Sequence, residues 1–229
     1  PYVRASLKNT VVFTVITVPL QTAGSLVLAA VIAELFHNKF GNFVKSSLFV
    51  PVIASAILVG TLWFTLLSPR GVVNSIIHAF GLPSVNWLGG KLTSMLSVCI
   101  VSVWKNVGYF LVIYFAGIMD IPRSLYEAAE VDGANAFQRF FKITLPGLSS
   151  VTFLVVTLGT IWSFQVFDLV YTMTGGGPGT STVTLVLTTY NAAFKEYNMG
   201  YASAVAMLMF VFVLAVSGLQ KLLLKGGED

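Results

Sequence analysis

The sequence is poor in charged side chains. Lysine, arginine, aspartate and glutamate make up 10% of the 229 residues, whereas hydrophobic residues make up 56%. A soluble globular domain usually carries about 25% charged residues. So few charges cannot solubilise the surface of such a chain, which excludes an ordinary cytosolic enzyme and a disordered tail. The composition therefore predicts an integral membrane protein with many spans.

Residues and motifs for other chemistries are also scarce. The 13 basic residues give a net charge of +4 without a cluster that could track a phosphate backbone, so we expect no nucleic-acid partner. The single cysteine, Cys99, excludes a disulfide framework and a cysteine-based zinc site. His37 and His78 lie far apart in the chain, and Gly-x-Ser-x-Gly and His-Glu-x-x-His signatures are absent. Gly90-Lys91 is followed by leucine, so it fails the P-loop pattern. We therefore predict no catalytic residues, no metal and no cofactor.

The charge-free windows predict five transmembrane helices. A helix needs about 20 apolar residues to cross a bilayer. Four long windows contain no charged residue and a fifth contains only Lys105, and the predicted spans are 9–36, 47–67, 92–119, 149–170 and 201–222. Pro19 and Pro51 are expected to kink their spans.

Two other charge-free stretches are interrupted by glycine and proline, and non-helical backbone cannot face lipid. We expect a loop with a short helix at 72–80, and a glycine-rich loop before an interfacial or re-entrant helix at about 182–194. Under the positive-inside rule, the distribution of lysine and arginine favours a cytoplasmic C-terminus, which places residues 120–148 on the cytoplasmic side.

Residues 120–148 form an unusually polar segment for this chain. Pro122 suits a first helical turn, and Asp132-Gly133 is a turn signal because glycine can adopt positive φ. Phe137, Phe140 and Phe141 follow at helical spacing, and Leu145-Pro146 is expected to end the second helix. Taken alone, this pattern is typical of a capped helical hairpin on the inner membrane surface.

The spacing within this segment carries a resemblance. The segment matches the EAA loop of ABC-importer permeases at each defined position. These positions are Glu127-Ala128-Ala129, then Gly133 after a gap of three residues, Ile143 after a gap of nine and Leu145-Pro146 after a gap of one. Residues 9–10, 18–21, 104–109, 116–118, 174–178, 193–194 and 200–204 are also similar to this family. Nearly the whole chain resembles the carbohydrate-importer branch of type I permeases, similar to MalF of maltose systems and UgpA of glycerol-3-phosphate systems.

The resemblance implies an all-α integral membrane protein with a type I permease core. Residues 1–229 are then a single transmembrane permease domain, in which residues 120–148 form the cytoplasmic EAA coupling loop. Such permeases usually have six core helices, so the first core helix is expected to be missing and the chain, which starts at Pro1, to be a fragment. The coupling residues implied are Glu127, Ala128, Ala129, Asp132, Gly133, Phe137, Phe141, Ile143, Leu145 and Pro146.

The implied function is ATP-driven, binding-protein-dependent import of a sugar or oligosaccharide across a bacterial or archaeal cytoplasmic membrane. The implied partners are the lipid bilayer, a second homologous permease, two cytoplasmic ATPase subunits that hydrolyse the ATP, and an extracytoplasmic solute-binding protein. Two alternatives remain: import of a non-sugar solute such as glycerol phosphate, a polyol or a polyamine, and a self-contained secondary transporter.

Polar residues inside two spans are candidates for the solute path. Lys105 lies mid-span, where an ionisable side chain is a functional hypothesis by default. A sugar site needs hydrogen-bonding groups and an aromatic platform, and two helical stripes offer both. The candidates are Ser102, Lys105, Asn106, Tyr109, Gly159, Trp162, Ser163 and Gln165. The alternatives are polar contacts that hold helices together and a structural partner for Lys105. Asp168 is expected at the membrane surface.

Overall fold

A computed structural model describes residues 2–35 and 39–224, and within these ranges the regular elements are helices. Phe36, the expected end of the first span, and His37 lie outside the described residues. Three of the described helices are long and apolar enough to cross a membrane alone: α1 (Tyr2–Leu35), α5 (Lys91–Asp120) and α12 (Met199–Leu224). They confirm the first, third and fifth predicted spans.

The second predicted span is present as a bent helix pair rather than one continuous helix, and the bend follows Pro51, which was expected to kink this span. It consists of α2 (Lys39–Ile53) and α3 (Ala56–Leu66), which are bent by 97°. Pro51 lies in the last turn of α2, where a missing N–H and ring clashes weaken the helix. Ser55 has an extended backbone and begins α3. Pro19, in contrast, lies within the unbroken α1.

The fourth predicted span ends earlier than expected. Helix α9 (Ser149–Phe164) stops before residue 165, and α10 (Asp168–Met173) follows the break. The segment that precedes α9 is bent against it by 69°. Counted over the described residues, there are five spans if each bent pair is taken as one crossing.

Both predicted loop helices are present. Helix α4 (Val72–Ala79) lies within the predicted 72–80 range. Buried Asn74 holds its loop, because the side-chain oxygen accepts from the Val85 N–H at 3.0 Å and from Trp87 Nε1 at 3.2 Å. Helix α11 (Leu185–Tyr190) is capped by Thr184 and continues as a π-helical turn, Asn191–Lys195. Leu185, Leu187 and Thr188 of α11 are buried against the rest of the bundle.

Helices α1 and α5 pack side by side at the centre, with α2 against α5, α9 against α1 and α12 against α9. Apolar side chains form two separate clusters along this pair. The inner cluster, on the side of residues 120–148, includes Ala29, Phe110 and Tyr114, and the outer cluster includes Phe13 and Val98. Between them lies a polar layer, which positions the site described next.

Candidate functional site

A cavity of about 170 Å³ lies in the polar layer between α1, α5 and the break that separates α9 from α10. It brings together six of the eight residues that the sequence suggests for the solute path. Its lining comprises Ser102, Lys105, Asn106, Trp162, Ser163 and Gln165, together with Gln21, Ala56, Val166, Phe167, Asp168 and Leu169. The two polar stripes on distant segments therefore do face one another.

Local structure explains how these side chains reach the cavity. Ser102, Lys105 and Asn106 lie on one face of α5, because residues three and four apart are neighbours on a helix. Ser163 Oγ lies 3.1 Å from Thr17 Oγ1, which joins the end of α9 to α1. Because α9 ends before Gln165, that side chain is exposed at the cavity.

The two remaining candidates, Tyr109 and Gly159, lie behind the cavity rather than in its lining. The Tyr109 ring packs on the Trp162 ring with centroids 4.9 Å apart, so it supports the indole from behind. A Cβ at Gly159 would overlap the amide nitrogen of Gln21, a buried side chain on α1. Gly159 therefore makes room for Gln21, which lines the cavity.

Lys105 has a structural partner at mid-depth. Its Nζ donates a hydrogen bond of 3.3 Å to the carbonyl oxygen of Val52. That carbonyl lies in the last turn of α2, where the break before α3 leaves it without its usual helical donor. A cation at a helix C-terminus is also favoured by the helix dipole. The alternative of a structural partner for Lys105 is thus supported, although Lys105 also lines the cavity.

Asp168 lines the same cavity and is half-buried, whereas the sequence analysis placed it at the membrane surface. It begins α10, and an acidic residue in the first helical turn is favoured by the helix dipole. The break between α9 and α10 brings it to the cavity. Because the sequence predicted one continuous helix across this region, it did not indicate that Asp168 lines the cavity.

A row of aromatic rings extends from the cavity and was not anticipated. Phe167, which lines the cavity, stacks on Tyr171 with centroids 5.3 Å apart. Tyr171 meets Tyr190 at 5.5 Å, and Tyr190 meets Phe194 at 5.4 Å. Phe167 and Tyr171 are four residues apart, as are Tyr190 and Phe194, so helical spacing accounts for each of these pairs. The contact of Tyr171 with Tyr190 joins α10 to α11 and has no local signal in the sequence.

Residues 120–148 form the helix–turn–helix that the sequence predicts. Helix α6 (Arg123–Val131) ends at a turn in which Gly133 has φ of +75°, as expected for its turn signal. Asn135 and Gln138 form a capping box at the start of α7 (Ala136–Arg139). A π-helical turn, Phe140–Thr144, leads into α8 (Leu145–Gly147).

The second helix of this segment ends at Gly147, one residue after the predicted stop at Leu145-Pro146, and a bend of 69° separates it from α9. In the π-helical turn the Leu145 N–H bonds to the Phe140 carbonyl, and Pro146 then occupies the second position of α8.

The ten residues implied for ATPase coupling divide into an exposed and an anchoring set. Ile143 and Leu145 pack against the inner cluster and anchor the segment, and Ala129 is half-buried. Phe137 is 71% exposed and Phe141 is 47% exposed, although both are large and apolar. The other exposed members are Glu127, Ala128, Asp132, Gly133 and Pro146. The segment therefore presents two apolar rings and two carboxylates to its surroundings.

Arg139 forms an ion-pair network that the sequence analysis missed. Its Nη2 lies 2.6 Å from Glu34 Oε1, and its Nη1 donates to Glu130 Oε1. The hydrogen bond to the Glu34 carboxylate, aided by both negative charges, raises the pKa of the Arg139 guanidinium above its usual value. The 105 residues that separate Glu34 from Arg139 hide this pairing in the sequence.

Comparisons with known proteins agree with this geometry. The family model described as "Binding-protein-dependent transport system inner membrane component" matches residues 7–226. The probable ABC transporter permease protein YurN of Bacillus subtilis is 38% identical over 100% of this chain and 80% of its own length. The trehalose/maltose permease MalF of Thermococcus litoralis is 35% identical over 90% of this chain and 69% of its own length.

Among solved structures, a bacterial ABC transporter that imports the acidic polysaccharide alginate has the same fold. Its matching chain gives a TM-score of 0.88 at 24% identity, over 96% of this chain and 78% of that chain. The fold, the helices long enough to span a membrane and the family match are mutually consistent. The chain is a multi-pass membrane protein that belongs to the family of binding-protein-dependent transport system inner membrane components, the permease subunits of ABC importers.

Proposed function

We propose that this permease imports a sugar or oligosaccharide through the cavity in the polar layer. The observation that carries the proposal is the lining of that cavity, where hydroxyl and amide groups face an indole ring between two apolar clusters. Hydroxyls and amides can both donate and accept hydrogen bonds, as sugar hydroxyls require. Trp162 offers an apolar face for a sugar ring. Relatives named for trehalose/maltose and for lactose transport support this class of solute.

The charge in the cavity favours a neutral solute over an anionic one. Among the described residues of the lining, Lys105 and Asp168 are the two charged side chains, and their formal charges cancel. The Lys105 ammonium is also bonded to the Val52 carbonyl. A phosphate group would therefore lack an uncompensated cation at this position. Glycerol phosphate is the second candidate, because a relative named for sn-glycerol-3-phosphate transport is 32% identical.

Residues 120–148 are proposed to couple the permease to a cytoplasmic ATPase. The EAA spacing supports this role, as does the exposure of Phe137 and Phe141, since exposed apolar rings commonly mark interaction sites. The proposed assembly has a second homologous permease, two ATPase subunits and an extracytoplasmic binding protein in a bacterial or archaeal cytoplasmic membrane. One solved alginate transporter is in complex with a periplasmic protein that carries an alginate pentasaccharide. Family membership favours this importer over a self-contained secondary transporter.

Two tryptophan variants test the solute path. Trp162 lines the cavity and is 38% exposed, whereas Trp104 is 40% exposed and instead packs against Trp63. The complete importer, purified through a tag on this chain, is reconstituted in vesicles with its binding protein and ATP. Uptake of labelled mono- and disaccharides is compared with uptake of glycerol phosphate.

We expect sugar uptake that falls roughly tenfold in Trp162→Ala, because the aromatic platform is lost, and changes less than about twofold in the matched control Trp104→Ala. Uptake of glycerol phosphate alone would refute the sugar assignment. Equal losses in the two variants would refute the placement of the path beside Trp162.

A further inference from the structure

One guanidinium joins three elements on the side of residues 120–148. Arg139 is the last residue of α7, Glu130 lies in the last turn of α6, and Glu34 lies at the inner end of α1. Arg139 bonds to both carboxylates through different nitrogens. Its own side chain is 18% exposed, while those of Glu34 and Glu130 are 43% and 61% exposed. The cation is therefore more buried than either of its partners.

A gap remains between the segment around Arg139 and the helix bundle. A cavity of about 270 Å³ separates α6 and α7 from the inner ends of α1 and α5. Its lining includes all three members of the network and two further charged residues, Arg123 and Glu127. Because apolar packing is interrupted there, the ion pairs of Arg139 bridge α1 and α6 across a gap. Arginine suits this bridge between helices, since its planar guanidinium can donate to two carboxylates at once.

Helix α1 also forms part of the solute cavity. Gln21 lines that cavity, and Glu34 follows it by 13 residues on the same unbroken helix. At a rise of 1.5 Å per residue the two side chains are roughly 20 Å apart along the helix axis. A displacement of α6 that is passed to Glu34 therefore reaches the cavity through one rigid element.

We propose that Arg139 is a positioning residue that ties the coupling helix α6 to α1, so that movement of residues 120–148 is transmitted to the solute cavity. The inference rests on the proposed function, because it needs an ATPase that acts on α6. Arg139 does not contact the solute. It sets the position of α6 relative to α1, and its loss uncouples ATP hydrolysis from transport while both activities persist.

The test uses the complete importer reconstituted in vesicles with its binding protein. Solute uptake and ATP hydrolysis are measured together for Arg139→Gln, Glu34→Gln and the double variant, and the readout is solute transported per ATP hydrolysed. Lys221→Gln is the matched control, because it removes one positive charge from an exposed position at the end of α12, outside residues 120–148, and Lys221 has no ion-pair partner among the described residues.

We expect a transport-to-hydrolysis ratio that falls about twofold to fivefold in Arg139→Gln, the range that corresponds to partly exposed ion pairs. The ratio should remain unchanged in Lys221→Gln. Glu34→Gln should lower the ratio as well, and the double variant should be no worse than Arg139→Gln, because the two residues act through one interaction. If the complex with Arg139→Gln does not assemble, Glu34→Gln provides the same test, since it leaves Arg139 paired with Glu130.

Two results overturn the inference. One is a ratio in Arg139→Gln equal to that of Lys221→Gln. The other is a proportional fall of uptake and hydrolysis, which a merely structural role produces. Failure of the proposed function is distinguishable, because the unmodified complex would then show no hydrolysis that depends on the binding protein.

Discussion

Substitution of Gly108 by alanine tests the close approach of α5 and α2. A Cβ at this position would lie 2.7 Å from the carbonyl carbon of Leu48 and closer still to its oxygen, whereas ordinary contacts begin at 3.4 Å. The obstacle is backbone, so no side-chain rotation relieves it. Helix α2 must therefore move away from α5 by about 0.7 Å or more.

Two opposing effects decide the size of the change. Alanine is about 1 kcal/mol more favourable than glycine within a helix. Overpacking costs about 1–3 kcal/mol, and contact with backbone places Gly108→Ala near the upper value. The expected net loss is about 2 kcal/mol, which corresponds to a Tm lower by roughly 4–8 °C for a chain of this length. The shift of α2 should also weaken the Lys105–Val52 hydrogen bond beside the solute cavity.

The assay is thermal unfolding of the detergent-solubilised complex, followed by size-exclusion chromatography, together with solute uptake. Gly24→Ala is the matched control, because a Cβ there would lie 3.7 Å from Val107 Cγ2 in ordinary contact. Its Tm should stay level or rise. A Tm for Gly108→Ala within about 2 °C of the unmodified complex would refute the close approach of the two helices.

Two further predictions concern the coupling segment. Glu127→Lys should uncouple ATP hydrolysis from transport, since loss of one partner of a charge pair at an interface costs about 2–5 kcal/mol; normal transport by this variant would remove Glu127 from the proposed interface. Gly133→Ala should lower the free energy of unfolding by about 1 kcal/mol, measured by thermal unfolding, because φ of +75° is unfavourable for alanine although nothing lies within 4 Å of its Cβ. Gly133→Asn should be milder, since asparagine tolerates this conformation, and an equal or larger loss would contradict that explanation.

Charge-free windows were sufficient to find the spans but not their interruptions. The break between α2 and α3 lies inside one apolar run, and its freed Val52 carbonyl is stabilised by Lys105 from another helix. Apolar residues lie on both sides of the break, so local hydropathy cannot locate it. Helical spacing likewise predicted two polar stripes, on α5 and α9, but not Gln21 or Asp168, which complete the cavity from other elements.

The sequence by itself determined the membrane location, the approximate spans and the helix–turn–helix of residues 120–148. Membrane location and spans depend on composition and periodicity. The turn at Gly133, with its positive φ, depends on a short local motif. Only the tertiary structure decided that Arg139 meets Glu34, that Phe167 begins an aromatic row and that Asp168 enters the cavity. Each of these depends on where a helix bends and which neighbour it then meets. Such contacts join residues that are far apart in the chain, so neither segment carries a periodic pattern that predicts them.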